Sequence, residues 1–516
     1  MVCGDSENEV LMTAKAKQQT HTVTLRLKTS EYDHYMFSRR FHALAHLHNV
    51  MVKHAKKLLI RLNHDKEYPS LRQQYASSDD KHARTVLSKQ MKDIRLAYGL
   101  TDYSFQKYLA VCGRQYRKLL SSQQVQKEAS RVYASVERYL FGNGRSIHYK
   151  KYRDFDTIGG KSNLNGVCFD RSSLSVIWFG ESYQCLLPRD DNSRDYISEA
   201  LNADVSYCEL KRIMFPNGWH YYVVIILKGP APRKLKTIGS NTCGIDPGVS
   251  TMACVSDDKA FLFELAPDSR KYDKKIADIQ YHMDLSKRAC NPGKYNSDGA
   301  VNKNNHDPWN YSRSYRRMRD HLKYLFRKKA AYTKQSHEIQ CNKLLADSVN
   351  FIVEDMDYKA LSRRSRHTER QAEASQVTGN DGTIKTIHKY KRKKRFGRSI
   401  GKRAPAQFLS ILKQKAEFYG GAVVRVNTKT YKASQYDHTT DTYAKIPLSQ
   451  RSKLIDGHRV QRDLYSAFLI LNTNDSLDHP ERNKCLCTFD SFLRHQATCI
   501  NDMINSNTSM PQCFGF

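Results

Sequence analysis

Three acidic residues interrupt otherwise apolar or small-residue segments of this 516-residue chain. Asp246 sits in TCGIDPGVSTMACVSDD (Thr242–Asp258), Glu354 in VNFIVEDMDYKAL, and Asp463 in QRDLYSAF. Singly, each has an ordinary explanation. Asp before Pro-Gly is a common turn residue, VED can close a strand, and RD can form a surface ion pair. Jointly they suggest chemistry. Three carboxylates brought to one point repel one another unless cations lie between them. Mg²⁺ takes oxygen ligands and keeps positions open for water and phosphate oxygens. Two such ions about 4 Å apart can activate a water on one side of a phosphodiester and stabilise the leaving oxygen on the other. The acids are 108 and 109 residues apart, so only the fold can unite them.

The surrounding elements supply such a fold. Asp246 ends the first strand of a hairpin, and AFLFELA (Ala260–Ala266) adds a third strand. A polar loop at Asn291–Asn310 precedes a basic helix from about Tyr311 to Ser348. A buried strand at Phe351–Val353 then closes on Glu354. APAQFLSILKQKAEFYGG reads as a helix stopped by Gly420–Gly421, AVVRV as a strand, and GHRVQRDLYSAFLIL as a helix. In that last helix Asp463 would share a face with Ala467 and, a turn earlier, Arg459. This element order is that of a ribonuclease H-like α/β domain, in which the ends of the first and fourth strands are neighbours.

Upstream, residues 1–20 carry no periodicity and read as a flexible tail. HTVTLRLKT (His21–Thr29) alternates as a strand. Phe37, Phe41, Leu44, Leu47, Met51, Ala55, Leu58 and Leu62 then recur at three- and four-residue steps, one face of a long helix. His42, His46, His48 and His54 on it read as surface residues. Helices follow at about 81–98, 102–121 and 122–141, and Ile147–Leu227 is strand-like throughout. The helical block is therefore expected to be an insertion into a small β-barrel.

Lys and Arg number 85 against 52 Asp and Glu, a formal charge of +33 that points to a polyanion, nucleic acid first. Thirteen scattered cysteines do not form a disulfide framework. MVCGDSENEV lacks the basic and apolar regions of a signal peptide, and YYVVIIL (Tyr221–Leu227) is too short to span a bilayer. The expectation is a soluble intracellular protein: cytoplasmic and nucleoid-associated in a prokaryote, nuclear in a eukaryote.

GIDPGVSTMACVSDD, VNFIVEDMD and QRDLYSAF resemble the three segments of the split RuvC nuclease of TnpB, the transposon-encoded RNA-guided DNA nuclease related to type V CRISPR effectors. GLTDYSFQKYLAVC, LFGNGRSIHYKKYRDF and GKSNLNGVCF resemble the recognition and wedge regions of that family, so the likeness covers roughly residues 35–500. It implies an α+β multidomain, bilobed architecture. A helical recognition domain (31–146) would be inserted in a wedge β-barrel (21–30 and 147–238), followed by a RuvC domain (239–430 and 457–516). It also implies that Asp246, Glu354 and Asp463 are the catalytic ligands of two Mg²⁺ ions. The implied partners are a guide RNA and target double-stranded DNA, with one protein per RNA, and a short motif beside the target would be read. Lys150, Lys151 and Arg153 are expected to contact nucleic acid. So are Lys391, Arg392, Lys393, Lys394 and Arg395 in KYKRKKRFGRSIGKR (Lys389–Arg403), where nine of fifteen residues are basic. That run also fits a nuclear-localisation signal.

The family usually carries two CxxC pairs before the last acid. Here residues 431–456 contain no cysteine, and Asp437 with His438 cannot rebuild a four-ligand zinc site. A degenerate target-nucleic-acid-binding insert without zinc, held by packing, is expected. Cys485, Cys487, His495 and Cys499 read as core residues of a C-terminal helix rather than a zinc set. Two other functions fit the same residues: a guided DNA-binding repressor that does not cut, and an unguided RuvC-type nuclease or transposase accessory protein.

Overall fold

The computed structural model describes residues 19–234, 237–363, 370–378, 384–390, 396–447, 449–506 and 514–515. The chain is mixed α+β and forms two compact units, one ending at Lys234 and the other beginning at Leu235. Among the described residues no helix is long and apolar enough to cross a membrane.

The first unit opens with β1 (Thr20–Leu27), whose residues alternate between buried and exposed. Its helices are α1 (Glu31–Asn63), α2 (Tyr68–Ser77), α3 (Lys81–Ala97), α4 (Asp102–Gly113) and α5 (Ser122–Leu140). The chain then enters β2 (Thr157–Gly159), β3 (Val167–Asp170), β4 (Ser175–Trp178) and β5 (Glu181–Leu186). It continues through α6 (Asp191–Ala200), β6 (Val205–Phe215) and β7 (Gly218–Lys228). The strands form one antiparallel half-barrel sheet in the order β2-β6-β7-β1-β5-β4-β3. A capping box between Ser30 and Asp33 starts α1, satisfying amide groups the helix cannot bond itself. Phe37 of α1 packs against Tyr221 and Tyr183 of the sheet, with ring centroids 4.6 and 4.8 Å apart. The eight residues that set the helical period of α1 are all buried.

Two expectations fail here. The segment 147–227 is not strands throughout, because Asp190 caps α6 by accepting from the Ser193 amide at 2.8 Å. His48 is not a surface residue. It is buried with Nδ1 2.6 Å from Glu128 Oε1, and Arg131 donates to the other Glu128 oxygen at 3.3 Å. Arg131 also reaches Glu209 of β6 at 2.8 Å. An apolar helix face thus accommodates a histidine because a buried acid stands opposite it.

The second unit begins with β8 (Asn241–Pro247), β9 (Thr251–Ser256) and β10 (Ala260–Glu264). Two long helices follow, α7 (Ser269–Ala289) and α8 (Arg313–Leu345), before β11 (Ser348–Glu354) and α9 (Tyr358–Ser362). β12 (Arg370–Thr378) and β13 (Ile384–Tyr390) pair as a separate ladder. Then come α10 (Gly397–Arg403), α11 (Pro405–Phe418), β14 (Val423–Val426) and α12 (Thr428–Tyr431). The chain ends with β15 (Tyr436–Asp437), β16 (Thr442–Tyr443), β17 (Ser452–Ile455), β18 (His458–Gln461), α13 (Arg462–Leu471) and α14 (Arg482–Asn505). The central sheet runs β10-β9-β8-β11-β14, with β11 parallel to both β8 and β14.

Strand alternation divides that sheet into two cores. Cys243, Ile245, Phe351 and Val353 pack with Leu344 and Leu345 of α8 and Phe408 and Leu412 of α11. Ala253, Val255 and Val426 belong to the core of α13 and α14. GHRVQ is not helical, contrary to its apolar period: Asp456 and Gly457, at φ 47° and 73°, make the two-residue turn between β17 and β18. Arg459 therefore lies on a strand and does not share a helical face with Asp463.

Residues 431–456 pack onto α13. Tyr431 donates to the Leu469 carbonyl at 2.7 Å, and the fully buried His438 lies 2.7 Å from the Tyr465 hydroxyl. Burial depresses the His438 pKa. Cys485 and Cys499 of α14 are buried, whereas Cys487 is exposed.

Candidate active site

The parallel register pairs Val353 with Ile245, so the next residues, Glu354 and Asp246, leave adjacent strands side by side. Both have the parity opposite to Ile245 and Val353, whose side chains enter the α8–α11 core. They therefore face the side covered by α13. A Cβ at Gly244 would stand 2.3 Å from the Ala467 carbonyl oxygen and 2.4 Å from the Leu471 nitrogen. Only glycine lets α13 cross β8 this closely. Asp463 lies in the first turn of α13, where Gln461 caps the helix by accepting from the Leu464 amide at 2.6 Å.

Asp246 and Glu354 are within hydrogen-bonding reach of each other. Burial, then the Glu354 charge and then that of Asp463, hold the Asp246 pKa well above the usual carboxylate range. Burial likewise raises that of Glu354. Two carboxyls so close require a shared proton or a cation. Asp463 adds its charge to this environment but has a partner of its own. Arg462 Nη2 and Nε approach its Oδ1 at 3.0 and 3.2 Å, with the two side chains 9% and 18% exposed. The structure thus brings Asp246 and Glu354 together and leaves Asp463 alongside, held by arginine. Among the described residues no three His, Cys, Asp or Glu side chains form a group that could hold a metal ion.

The oxygen-only donors of these two half-buried, like-charged groups suit a hard divalent cation. Two neighbours were not foreseen. Tyr358 of α9 donates to the carbonyl oxygens of Gly248 at 3.2 Å and Pro247 at 3.5 Å, bracing the turn that follows Asp246. Burial and then the charges of Asp246 and Glu354 raise its pKa. Arg425 of β14 pairs with Asp355 at 2.6 Å, one residue beyond Glu354. The aromatic in VEDMDYKAL was a legible signal for Tyr358; nothing local marks Arg425.

Of the nucleic-acid candidates, Lys150 and Lys151 are exposed and Arg153 is half-buried. The Lys150 amide donates to Asn49 at 2.9 Å, which fixes its backbone on α1. Lys391, Arg392, Lys393, Lys394 and Arg395 lie outside the described residues.

No protein-family model matches the sequence, and no curated protein matches it. Among solved structures, the chain is similar to the protein of a Cas12f1–sgRNA–target DNA complex at 11% identity and a TM-score of 0.43, over 88% of this chain and 99% of that one. It is similar to a CRISPR-Cas12f ternary complex at 12% identity and a TM-score of 0.27, over 88% and 99%. A Cas12i1 R-loop complex before target DNA cleavage matches at 9% identity and a TM-score of 0.26, over 79% of this chain and 56% of that one.

Proposed function

We propose that the chain is a divalent-metal-dependent DNA endonuclease of RuvC type, directed by a guide RNA to double-stranded DNA. One observation carries the hydrolytic part: two half-buried carboxyls side by side at the ends of neighbouring parallel strands, with no ion pair of their own among the described residues. In this reading Asp246 and Glu354 hold Mg²⁺, and Asp463 completes the set when Arg462 releases it. The ions supply Lewis-acid activation of the attacking water and of the leaving oxygen. Tyr358 keeps the Pro247–Gly248 turn in position, and Gly244 keeps α13 close enough for Asp463 to contribute. RNA guidance is supported by the motif resemblance and the +33 charge.

The test is cleavage of guided target DNA by Asp246→Ala, alongside sequencing of RNA that copurifies with the wild type. Loss of cutting with retained RNA and DNA binding supports the assignment. Cutting at the normal rate by that variant removes it, and a random mixture of bound RNA removes guidance. The Arg462–Asp463 pair favours a second reading, a guided repressor with a closed site. Tight guided binding by wild type with Mg²⁺ and no cleavage would select that one.

A further inference from the structure

Helices α7 and α8 enclose a groove of about 540 Å³ that the acid site does not use. Its walls carry three half-buried tyrosines, Tyr272, Tyr324 and Tyr332, and three exposed lysines, Lys271, Lys275 and Lys328. We propose that this groove binds an unpaired stretch of nucleic acid, with bases stacking on the tyrosines and phosphates held by the lysines.

The rings are held in place before any ligand arrives. Tyr332 accepts from the Asp268 amide at 3.0 Å, and its ring centroid lies 6.0 Å from that of Tyr272. Lys328 Nζ stands 5.0 Å from the Tyr324 ring. Being half-buried, the rings lose little freedom on binding while keeping surface available to a flat partner.

The charge of the groove is unbalanced. Asp268 is the carboxylate among its lining residues, and it is paired with Lys271 at 2.9 Å. Asp273, the next acid along α7, is taken up by Lys329 at 2.7 Å and Lys402 at 2.5 Å. Lys275 and Lys328 therefore confront the groove without a carboxylate there. Planar aromatic faces beside ammonium groups suit a strand whose bases are unstacked; a duplex hides its base faces. An acidic peptide would use the lysines and leave the rings idle.

The experiment uses the full chain and labelled oligouridine, oligodeoxythymidine and a blunt duplex of equal length, at raised salt to suppress general phosphate binding. Tyr272→Leu/Tyr324→Leu is expected to weaken single-strand binding about tenfold or more, with the duplex unaffected. Tyr324→Trp should retain wild-type affinity, and Lys275→Gln/Lys328→Gln should flatten the salt dependence. The two single-strand arms separate an RNA from a DNA occupant. Should the double tyrosine variant melt early, ultraviolet crosslinking of wild type to 4-thiouridine RNA decides instead, with adducts expected on the Tyr324 peptide. Unchanged single-strand affinity, equal loss on the duplex, equal loss with polyglutamate, or crosslinks only elsewhere would overturn the proposal. The oligonucleotide assay needs neither cleavage nor a divalent metal, so failure of the groove and failure of the nuclease reading are distinguishable.

Discussion

Glu128 in the first unit is fully buried and the Asp246–Glu354 pair in the second is half-buried, and the surroundings of the two are opposite. Glu128 meets His48 and Arg131, and Arg131 continues to Glu209. Its charge is answered within the fold, where it ties α1 and α5 to the sheet. Asp246 and Glu354 face each other with the same sign, and Arg462, whose charge favours ionised Asp246, is hydrogen-bonded to Asp463. A buried acid with an arginine and a histidine ring nitrogen beside it belongs to architecture. One without them awaits a proton or a metal.

That contrast breaks most sharply on substitution. Asp246→Ala should lower DNA cleavage on the order of 10²–10³-fold or more while leaving the melting temperature unchanged or raised. Glu128→Ala should do the reverse. Removing the buried acceptor leaves His48 Nδ1 without its partner, while Arg131 keeps Glu209; this costs about 1–3 kcal/mol, read as a fall in denaturant midpoint, with cleavage per folded molecule retained.

Arg462→Gln sharpens the comparison by removing the partner of Asp463. Mn²⁺ affinity measured by calorimetry should rise about tenfold, the scale of one charge-assisted hydrogen bond. The pH dependence has a definite sign. Because folding raises the carboxyl pKa values of Asp246 and Glu354, the native state holds protons that the unfolded chain has released. Metal-free stability should therefore fall as pH rises above the ordinary carboxylate range, and Asp246→Asn should flatten that fall. Adding Mg²⁺ at neutral pH should restore stability to wild type but not to Asp246→Asn. The smallest effect belongs to Tyr358→Phe, which removes one donor to the turn after Asp246. About 1 kcal/mol of stability should be lost in thermal unfolding, with a partial loss of cleavage.

Much of this arrangement was legible because strand and helix periods are local. The apolar face of α1 and the strands around Asp246 and Glu354 follow from spacing alone. The adjacency of β8 and β11 followed from element order, since a parallel neighbour needs a helical crossover and α7 and α8 provide one. What escaped depends on partners distant in sequence. Nothing near His48 announces Glu128, eighty residues away. The apolar stripe of α7 is carried by few residues, which hides the helix between a strand and a polar loop. β18 is readable in principle from the Asp456–Gly457 turn, but the apolar run of α13 extends the expected helix five residues too far toward the N-terminus. The adjacent Arg462 marks an ion pair as one option for Asp463, but the sequence does not choose between that arginine and a cation.

The most direct measurement is anomalous diffraction from crystals soaked in Mn²⁺. A peak coordinated by Asp246 and Glu354, with Asp463 turned toward it and away from Arg462, is the predicted result. Full Mn²⁺ occupancy elsewhere, with the two carboxyls still bonded to each other and Arg462 still on Asp463, would contradict it.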